Sequence, residues 1–337
     1  MKLKGISFIA LVSMFFCLGV FPAFAQKKQI LKIASVAPEN TPYGAALNKM
    51  AADWSAATNG EVEVRIYHNG VAGNEEDIIR KIKLGQLQGG VLTSFGLNSI
   101  TPEILALSVP FTIRDEGELN AVLQGLRPTL EKNIEDKGFV SIAWSTAGWI
   151  KVFSRRPVYV PADLKSQKLA TNISEPELTQ AFKALGFNMV PLNMNDVLMA
   201  LNSGMVDAMY SSPIAIGGLQ AFAIAKNMAT VNICPFMGGM VLSRNAWRSI
   251  PDKYKPKLME INKRMEEELN SSILKLEEDA VKTMVGLGLA VNNTTPAQQE
   301  EWYKDTEKGI QSLIGTVFDK TTYDQMMAIL RDYRARR

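Results

Sequence analysis

Short apolar segments and amphipathic segments take turns along most of the chain. Residues 30–35 form a short apolar strand pattern, and residues 62–67 alternate between apolar and polar at a period of two. Each is followed by helical spacing of apolar residues, over 43–58 and 75–84. This order of strand, turn and helix predicts an α/β fold in which helices pack on a sheet.

The same order recurs in the second half of the chain. Glycines are expected to end two of its helices, because glycine accepts the left-handed conformation at a helix C-terminus. The sequence therefore predicts two similar α/β halves, the second beginning near Trp149. The predicted strands of this part are 140–144, 151–154, 168–170, 190–192 and 206–209, and the predicted helices are 175–185, ended by Gly186, and 195–203, ended by Gly204.

The longest amphipathic segment begins near Pro251. Its apolar residues recur at steps of three or four, at Leu258, Ile261, Met265, Leu269, Ile273, Leu276, Ala280 and Met284. At 1.5 Å per residue, a helix over 251–287 would be about 40 Å long or more and would bridge both halves. A coiled-coil stalk is the alternative, but the steps favour four and no second long helix accompanies this one. We expect its charged residues to face solvent, among them Glu266, Glu267, Glu277 and Glu278.

The first 25 residues have the pattern of a cleavable secretory signal. Two lysines precede an apolar run over 6–21, and Ala23-Phe24-Ala25 is the small-x-small pattern that a signal peptidase recognises. A transmembrane anchor is the alternative, but the apolar run is short and no stop-transfer charges follow it. We therefore expect the mature chain to start near Gln26, outside the cytoplasmic membrane.

Composition narrows the choice of function. A chain of 337 residues with 47% hydrophobic residues favours two globular domains. Loss of the two signal lysines leaves 35 basic against 34 acidic residues (37 − 2 and 34), so nucleic acid is not an expected partner. The only histidine, His68, is expected in an exposed turn, and its isolation disfavours imidazole catalysis and zinc binding. Cys234 has no partner once Cys17 is removed, and we expect it to be a small buried apolar residue.

Several stretches of the mature chain resemble one family, the solute-binding proteins of tripartite ATP-independent periplasmic (TRAP) transporters, of the DctP type. The densest match is Phe153-Ser154-Arg155-Arg156-Pro157 and its continuation to Lys165. The other matching stretches are 32–43, 73–76, 83–87, 109–111, 182–186, 190–191, 196–208 and 247–251.

The resemblance implies a two-lobed periplasmic binding protein fold, type II-like, with crossing hinge strands and the long helix spanning both lobes. On this basis lobe I would comprise 26–148 plus about 236–250, and lobe II 149–235 plus about 288–337, with 251–287 as the long helix. The implied protein is a periplasmic monomer that captures a small organic solute and delivers it to a TRAP permease. It needs no catalytic residue, cofactor or metal ion.

Two other functions fit the same sequence. One is a receptor that presents its ligand to a membrane sensor, which would use the same fold. The other is a secreted enzyme using carboxylates such as Glu75, Glu76 and Asp207 as acid and base. Nothing in their spacing places two of them across a cleft, so the enzyme is disfavoured.

The family's carboxylate-binding arginine is missing. In many members an arginine follows an Asp-Leu-Lys-Gly-x-Lys-Ile stretch and can grip both oxygens of a carboxylate. Here Ala170 occupies that position, and the strand that often begins Gly-Phe-Arg is Gly148-Trp149-Ile150. A family asparagine aligns with Ser211 or Ser212. We therefore expect a less acidic, more apolar ligand.

The predicted ligand-binding residues follow from this resemblance. Aromatic contacts are expected from Tyr43, Phe95, Trp149 and Phe236, and polar contacts from Asn40, Glu75, Asn172, Ser211 and Ser212, beside Ala170. If the ligand is instead an acid, Lys151 is expected to bind it. Structural roles are the alternatives: Trp149 in the core, Glu75 at a helix N-terminus, Asn172 capping a loop, the serines in a turn, and Lys151 as a solvated strand residue.

Overall fold

Ten strands and twelve α-helices are found in residues 28–173, 175–193 and 196–337, the part of the chain that the computed structural model describes. The predicted secretory signal lies outside this part. The strands are β1 Gln29–Ser35, β2 Val62–Tyr67, β3 Gly89–Thr93, β4 Phe139–Ser154, β5 Lys168–Asn172, β6 Asn188–Leu192, β7 Ala208–Ser211, β8 Asn227–Ala229, β9 Cys234–Ser243 and β10 Ala290–Asn292.

Most of the helices alternate with the strands, as the pattern predicts. They are α1 Pro42–Ala57, α2 Glu75–Lys83, α3 Ser94–Asn98, α4 Glu116–Asp136, α5 Pro161–Lys165, α6 Pro176–Ala184, α7 Val197–Ser203, α8 Pro213–Leu219, α9 Arg244–Ser249, α10 Lys255–Gly286, α11 Pro296–Gln311 and α12 Lys320–Arg334. No helix in the described ranges is both long and apolar enough to cross a membrane.

The strands form two α/β lobes that share β4. In the first lobe the strand order is β2-β1-β3-β9-β4, and in the second it is β4-β7-β5-β6, with β8 beside β4 and β10 beside β8. Parallel pairs (β1 with β2 and β3, β5 with β6 and β7) are joined to the crossing strands by antiparallel pairs. The predicted α/β fold with crossing strands between two lobes is confirmed.

Strand β4 runs without a break through both lobes. The sequence pattern predicts two separate strands, 140–144 and 151–154, but the structure has a single strand of 16 residues. Its first part pairs with β9, and its last part pairs with β7 and β8. Two register shifts interrupt the pairing with β9, and Gly148 in the second of them has φ +85°. The glycine lets the strand change direction between the lobes.

The long helix α10 lies against both lobes, packing on α1, β4 and α8. The prediction that Glu266 and Glu277 face solvent is wrong. Glu266 accepts a hydrogen bond from the Trp144 amide at 3.1 Å, and Glu277 accepts one from the Trp149 amide at 3.0 Å. Asn270 between them accepts from the Thr146 amide at 3.2 Å. We call Glu266, Asn270 and Glu277 the acceptor row.

The acceptor row exists because β4 bends. An irregular strand leaves some backbone N–H groups without a strand partner, and a buried N–H needs another acceptor. Positions 266, 270 and 277 lie near one face of the helix, at spacings of four and seven residues. One face of α10 therefore replaces part of the missing strand pairing along the segment that joins the lobes.

The C-terminal helices pack on different lobes. Helix α11 packs on α5 and α6, whereas α12 packs on α4, which leads into the first-lobe part of β4. The assignment of all of 288–337 to lobe II stays a prediction, and the contacts of α12 favour placing this helix with the first lobe instead. Its Arg334 pairs with the buried Glu118 of α4, which gives the chain terminus a fixed place on the first lobe.

Two single-residue predictions have different outcomes. Cys234 is buried, as expected. The exposed turn position predicted for His68 is wrong, because the side chain is 6% exposed and its Nε2 lies 2.9 Å from Asn48 Oδ1 of α1. The imidazole thus links the end of β2 to a helix that packs on it.

Candidate functional site

The carboxyl ends of four parallel strands bring the two lobes together. Strands β1 and β3 end in the first lobe at Ser35 and Thr93, and β5 and β7 end in the second at Asn172 and Ser211. In open α/β sheets, ligands bind beside such strand ends. We call the space between these four ends the interlobe cleft. At its edge the Asn98 side chain donates to Glu177 Oε1 at 3.3 Å, which links α3 of one lobe to α6 of the other.

The first lobe holds four of the predicted residues. Asn40 is exposed in the turn before α1, and Phe95 is half-buried on α3. The Tyr43 hydroxyl, in the first turn of α1, donates to the Thr146 carbonyl of β4. Glu75 accepts hydrogen bonds from the amide and the hydroxyl of Thr93, the latter at 2.8 Å, and burial raises its pKa. Glu75 thereby ties the start of α2 to the start of α3.

The crossing strands hold three more. Trp149 is 6% exposed, and its side chain belongs to the buried apolar cluster that includes Leu119 of α4. The Lys151 ammonium is buried and donates to Asn232 Oδ1 at 2.6 Å and to the Thr230 carbonyl at 3.2 Å, and this burial lowers its pKa. Phe236 is half-buried on β9. Lys151 is therefore not the solvated strand residue of the alternative prediction.

The second lobe holds the remaining four. Ala170 is 3% exposed and belongs to an apolar cluster with residues of α7, so its methyl group packs in a core. Asn172 is half-buried, with its amide nitrogen 3.4 Å from Glu175 Oε1. Ser211 pairs with Lys151 across β7 and β4, and Ser212 caps α8 by accepting from the Ala215 amide.

Glu175 was not among the predicted residues, although it lies where a ligand contact would be expected. It directly precedes α6, and Tyr210 of β7 donates to its Oε2 at 3.0 Å. A chain of hydroxyls continues behind it: Tyr210 lies 2.7 Å from Thr171, which lies 3.0 Å from Thr179. Burial is the main cause that raises the pKa of Glu175 to about 7, and Glu75 and Glu177 raise it further.

The raised pKa of Glu175 predicts a pH-dependent free energy of unfolding. The folded protein binds this proton more tightly than the unfolded chain, whose pKa is near 4.5. The stabilisation is therefore complete below pH 4.5 and is lost as the pH rises through 7. In the original protein we expect the free energy of unfolding to fall by about 2–3 kcal/mol between pH 5 and pH 8 because of this group. Glu175→Gln should abolish that fall. Urea unfolding of both proteins at the two pH values measures this, and equal pH dependence would contradict it.

Tyr43 also lines a cavity of about 540 Å³ on the α10 side of the interlobe cleft. The first lobe contributes the start of α1, and the second lobe contributes α8 and Phe222. Apolar residues of α10, such as Ile273 and Met284, form its wall. The cavity is therefore bounded by both lobes and by the helix that joins them.

Comparison with known proteins identifies relatives of this architecture. The family model DctP, described as bacterial extracellular solute-binding protein, family 7, matches residues 33–315. A solute-binding protein of Verminephrobacter eiseniae is 29% identical over 196 residues. That match covers 58% of this chain and spans 58% of the relative's own length.

Solved structures share the fold over nearly the whole chain. A TRAP periplasmic solute-binding protein of Ochrobactrum anthropi has a TM-score of 0.84 at 20% identity, covering 93% of this chain and 98% of that one. In it, the C-terminus is bound in the ligand-binding pocket. A second such protein, from Sulfurospirillum deleyianum with bound succinate, has a TM-score of 0.76 at 24% identity, covering 90% of this chain and 98% of the other.

Proposed function

Since the chain belongs to the DctP family of bacterial extracellular solute-binding proteins, we propose that it captures a small organic solute in the interlobe cleft. The observation that carries this proposal is the pair of lobes facing each other across strand ends while sharing one continuous strand. Such a connection lets the lobes rotate toward each other and bury a ligand. The relative from Sulfurospirillum deleyianum, with succinate bound, supports the same use of this fold.

The rest of the proposal concerns where the protein acts and what it serves. We propose that residues 1–25 are a cleaved secretory signal and that the mature protein works in the periplasm. There it would deliver its solute to a TRAP permease driven by an ion gradient, without converting it chemically. The membrane subunits would recognise the closed form, because closure changes the surface that both lobes present together.

Solute binding is expected to stabilise the mature protein against heat. A ligand that binds only the folded state at 100 times its Kd adds about 2.7 kcal/mol, which corresponds to a rise in Tm of roughly 5 °C for a chain of this size. Thermal unfolding in the presence of fractions of a bacterial metabolite extract measures the rise. Small-angle scattering of a fraction that raises Tm should also show a smaller radius of gyration.

A control separates closure from non-specific stabilisation. The same fractions are added to an unrelated folded protein, whose Tm should respond only to non-specific stabilisation. If no fraction raises Tm or compacts the native protein, the proposed function is wrong. Delivery is tested by vesicles holding the permease subunits, in which uptake should require both this protein and an ion gradient.

A further inference from the structure

We propose that Glu175 is a specificity-determining residue, and that the solute presents an N–H donor group, an ammonium or an amide, to its carboxylate. This inference rests on the proposed function, because it concerns the ligand of the interlobe cleft. It differs from the sequence-based expectation of a more apolar ligand by requiring one particular polar group.

The position of Glu175 favours contact with a ligand. The residue lies between the carboxyl end of β5 and the start of α6, within the second lobe's side of the interlobe cleft. Two residues further along the chain, in the first turn of α6, Glu177 makes the hydrogen bond that reaches α3 of the first lobe. Glu75 of the first lobe is close enough to raise the pKa of Glu175. The carboxylate thus lies on the side of the second lobe that faces the first.

Its hydrogen-bonding capacity is only partly used. An ionised carboxylate offers about four acceptor positions. In the described part of the chain, the Tyr210 hydroxyl donates at 3.0 Å and the Asn172 amide lies at the long distance of 3.4 Å. The hydroxyls of Thr171 and Thr179 hold Tyr210 in place behind the carboxylate. Glu175 is therefore fixed in orientation while acceptor positions remain for another donor.

The surrounding charges favour a donor over an anion. Within the described ranges Glu175 has no ion pair, and the charged residues that act on it, Glu75 and Glu177, are both negative. The position that the sequence resemblance assigns to a carboxylate-binding arginine is Ala170, whose methyl group packs in a core. A carboxylate placed beside Glu175 would meet like charges with no cation to offset them. An N–H group would instead donate to the buried Glu175 carboxylate, and a charge-assisted hydrogen bond of this kind is strong.

The test uses charge-sorted ligands and the mature protein. A small-molecule extract of bacterial cells is separated by ion exchange into cationic, neutral and anionic pools, and each pool is titrated against the thermal unfolding of the protein. We expect the cationic or the neutral pool to raise Tm. A rise with the anionic pool alone would overturn this inference and leave the proposed function standing. A rise with no pool would overturn the proposed function itself.

Two matched variants assign the effect to Glu175. Glu175→Gln keeps the size of the side chain, and we expect it to weaken binding of the active pool at least tenfold. Glu300→Gln changes an exposed carboxylate of α11, a helix that packs on α6, and we expect binding within threefold of the original protein. Unfolding without ligand shows that both variants are folded. Equal binding by Glu175→Gln and the original protein would overturn the proposal.

The pH dependence gives an independent readout. Between pH 6 and pH 8 the ionised fraction of a carboxyl with a pKa of about 7 rises roughly tenfold. The apparent affinity for the active pool should rise by a similar factor in the original protein and stay nearly constant in Glu175→Gln. The other groups around the carboxyl, Glu75, Glu177, Tyr210 and Cys234, are present in both proteins. An affinity that falls as the pH rises would contradict an N–H donor.

Discussion

Replacing Arg334 by alanine is expected to destabilise the protein by about 3–5 kcal/mol, because it leaves the Glu118 carboxylate buried without its cation. The Glu118 side chain is 3% exposed, and Arg334 donates to its two oxygens at 2.7 and 2.8 Å. The pair fastens α12 to α4, far along the chain from each other. Urea unfolding at pH 7 measures the change.

The neighbouring Arg337 provides a matched control. It pairs with Asp115 at 2.6 Å, but both side chains are exposed, so Arg337→Ala should cost at most about 1 kcal/mol. If the two variants lose equal stability, the buried charge is not the cause. In the double variant Glu118→Gln with Arg334→Ala, the neutral side chain should restore part of the stability lost through Arg334→Ala.

Gly148→Ala is expected to lower the free energy of unfolding by more than about 3 kcal/mol. The residue has φ +85°, a backbone conformation that costs an alanine about 1–2 kcal/mol by itself. In addition, a Cβ atom there would lie 2.1 Å from Glu277 Oε2, which must move away from the Trp149 amide that it accepts from. The substitution therefore adds a steric clash and a lost hydrogen bond to the backbone strain.

A second glycine isolates the contribution of Glu277. Gly138 has φ +87°, and no atom lies within 4 Å of the Cβ position, so Gly138→Ala should cost only the backbone strain. Circular dichroism during thermal unfolding compares the two variants. Adding Glu277→Ala to Gly148→Ala should restore the stability lost through the steric clash, but not the stability lost with the hydrogen bond to the Trp149 amide. Equal destabilisation by the two glycine variants would show that Glu277 does not restrict this position.

The sequence pattern predicts much of the fold, where local and tertiary preferences agree. The prediction of a helix over 251–287 is confirmed by α10 at 255–286, because its apolar stripe faces both lobes. The pattern alone did not identify α4, although Leu119, Val122 and Leu126 have helical spacing. Pro128 interrupts that segment and obscures the helix in the sequence.

Polar residues were harder to place than apolar ones. A charged residue on an amphipathic helix is normally solvated, so nothing local distinguishes Glu277, which is 8% exposed, from Glu278 beside it. The difference comes from the bend in β4, which supplies an amide that needs an acceptor. The residues predicted to bind ligand stay predictions. Glu175 could have joined them, because it lies three residues after Asn172 in the same strand-to-helix connection.

The middle of α10 carries a further consequence. Ser271 and Ser272 donate to carbonyls three residues earlier, at 3.0 and 2.9 Å, and such bonds bend helices. They lie between Asn270, which binds the first-lobe part of β4, and Glu277, which binds the residue after Gly148. A rotation of the lobes about Gly148 that kept both contacts would bend the helix between residues 270 and 277. The cost of bending this segment would then be part of the free energy of closure, and the serines at 271 and 272 lie where that cost arises.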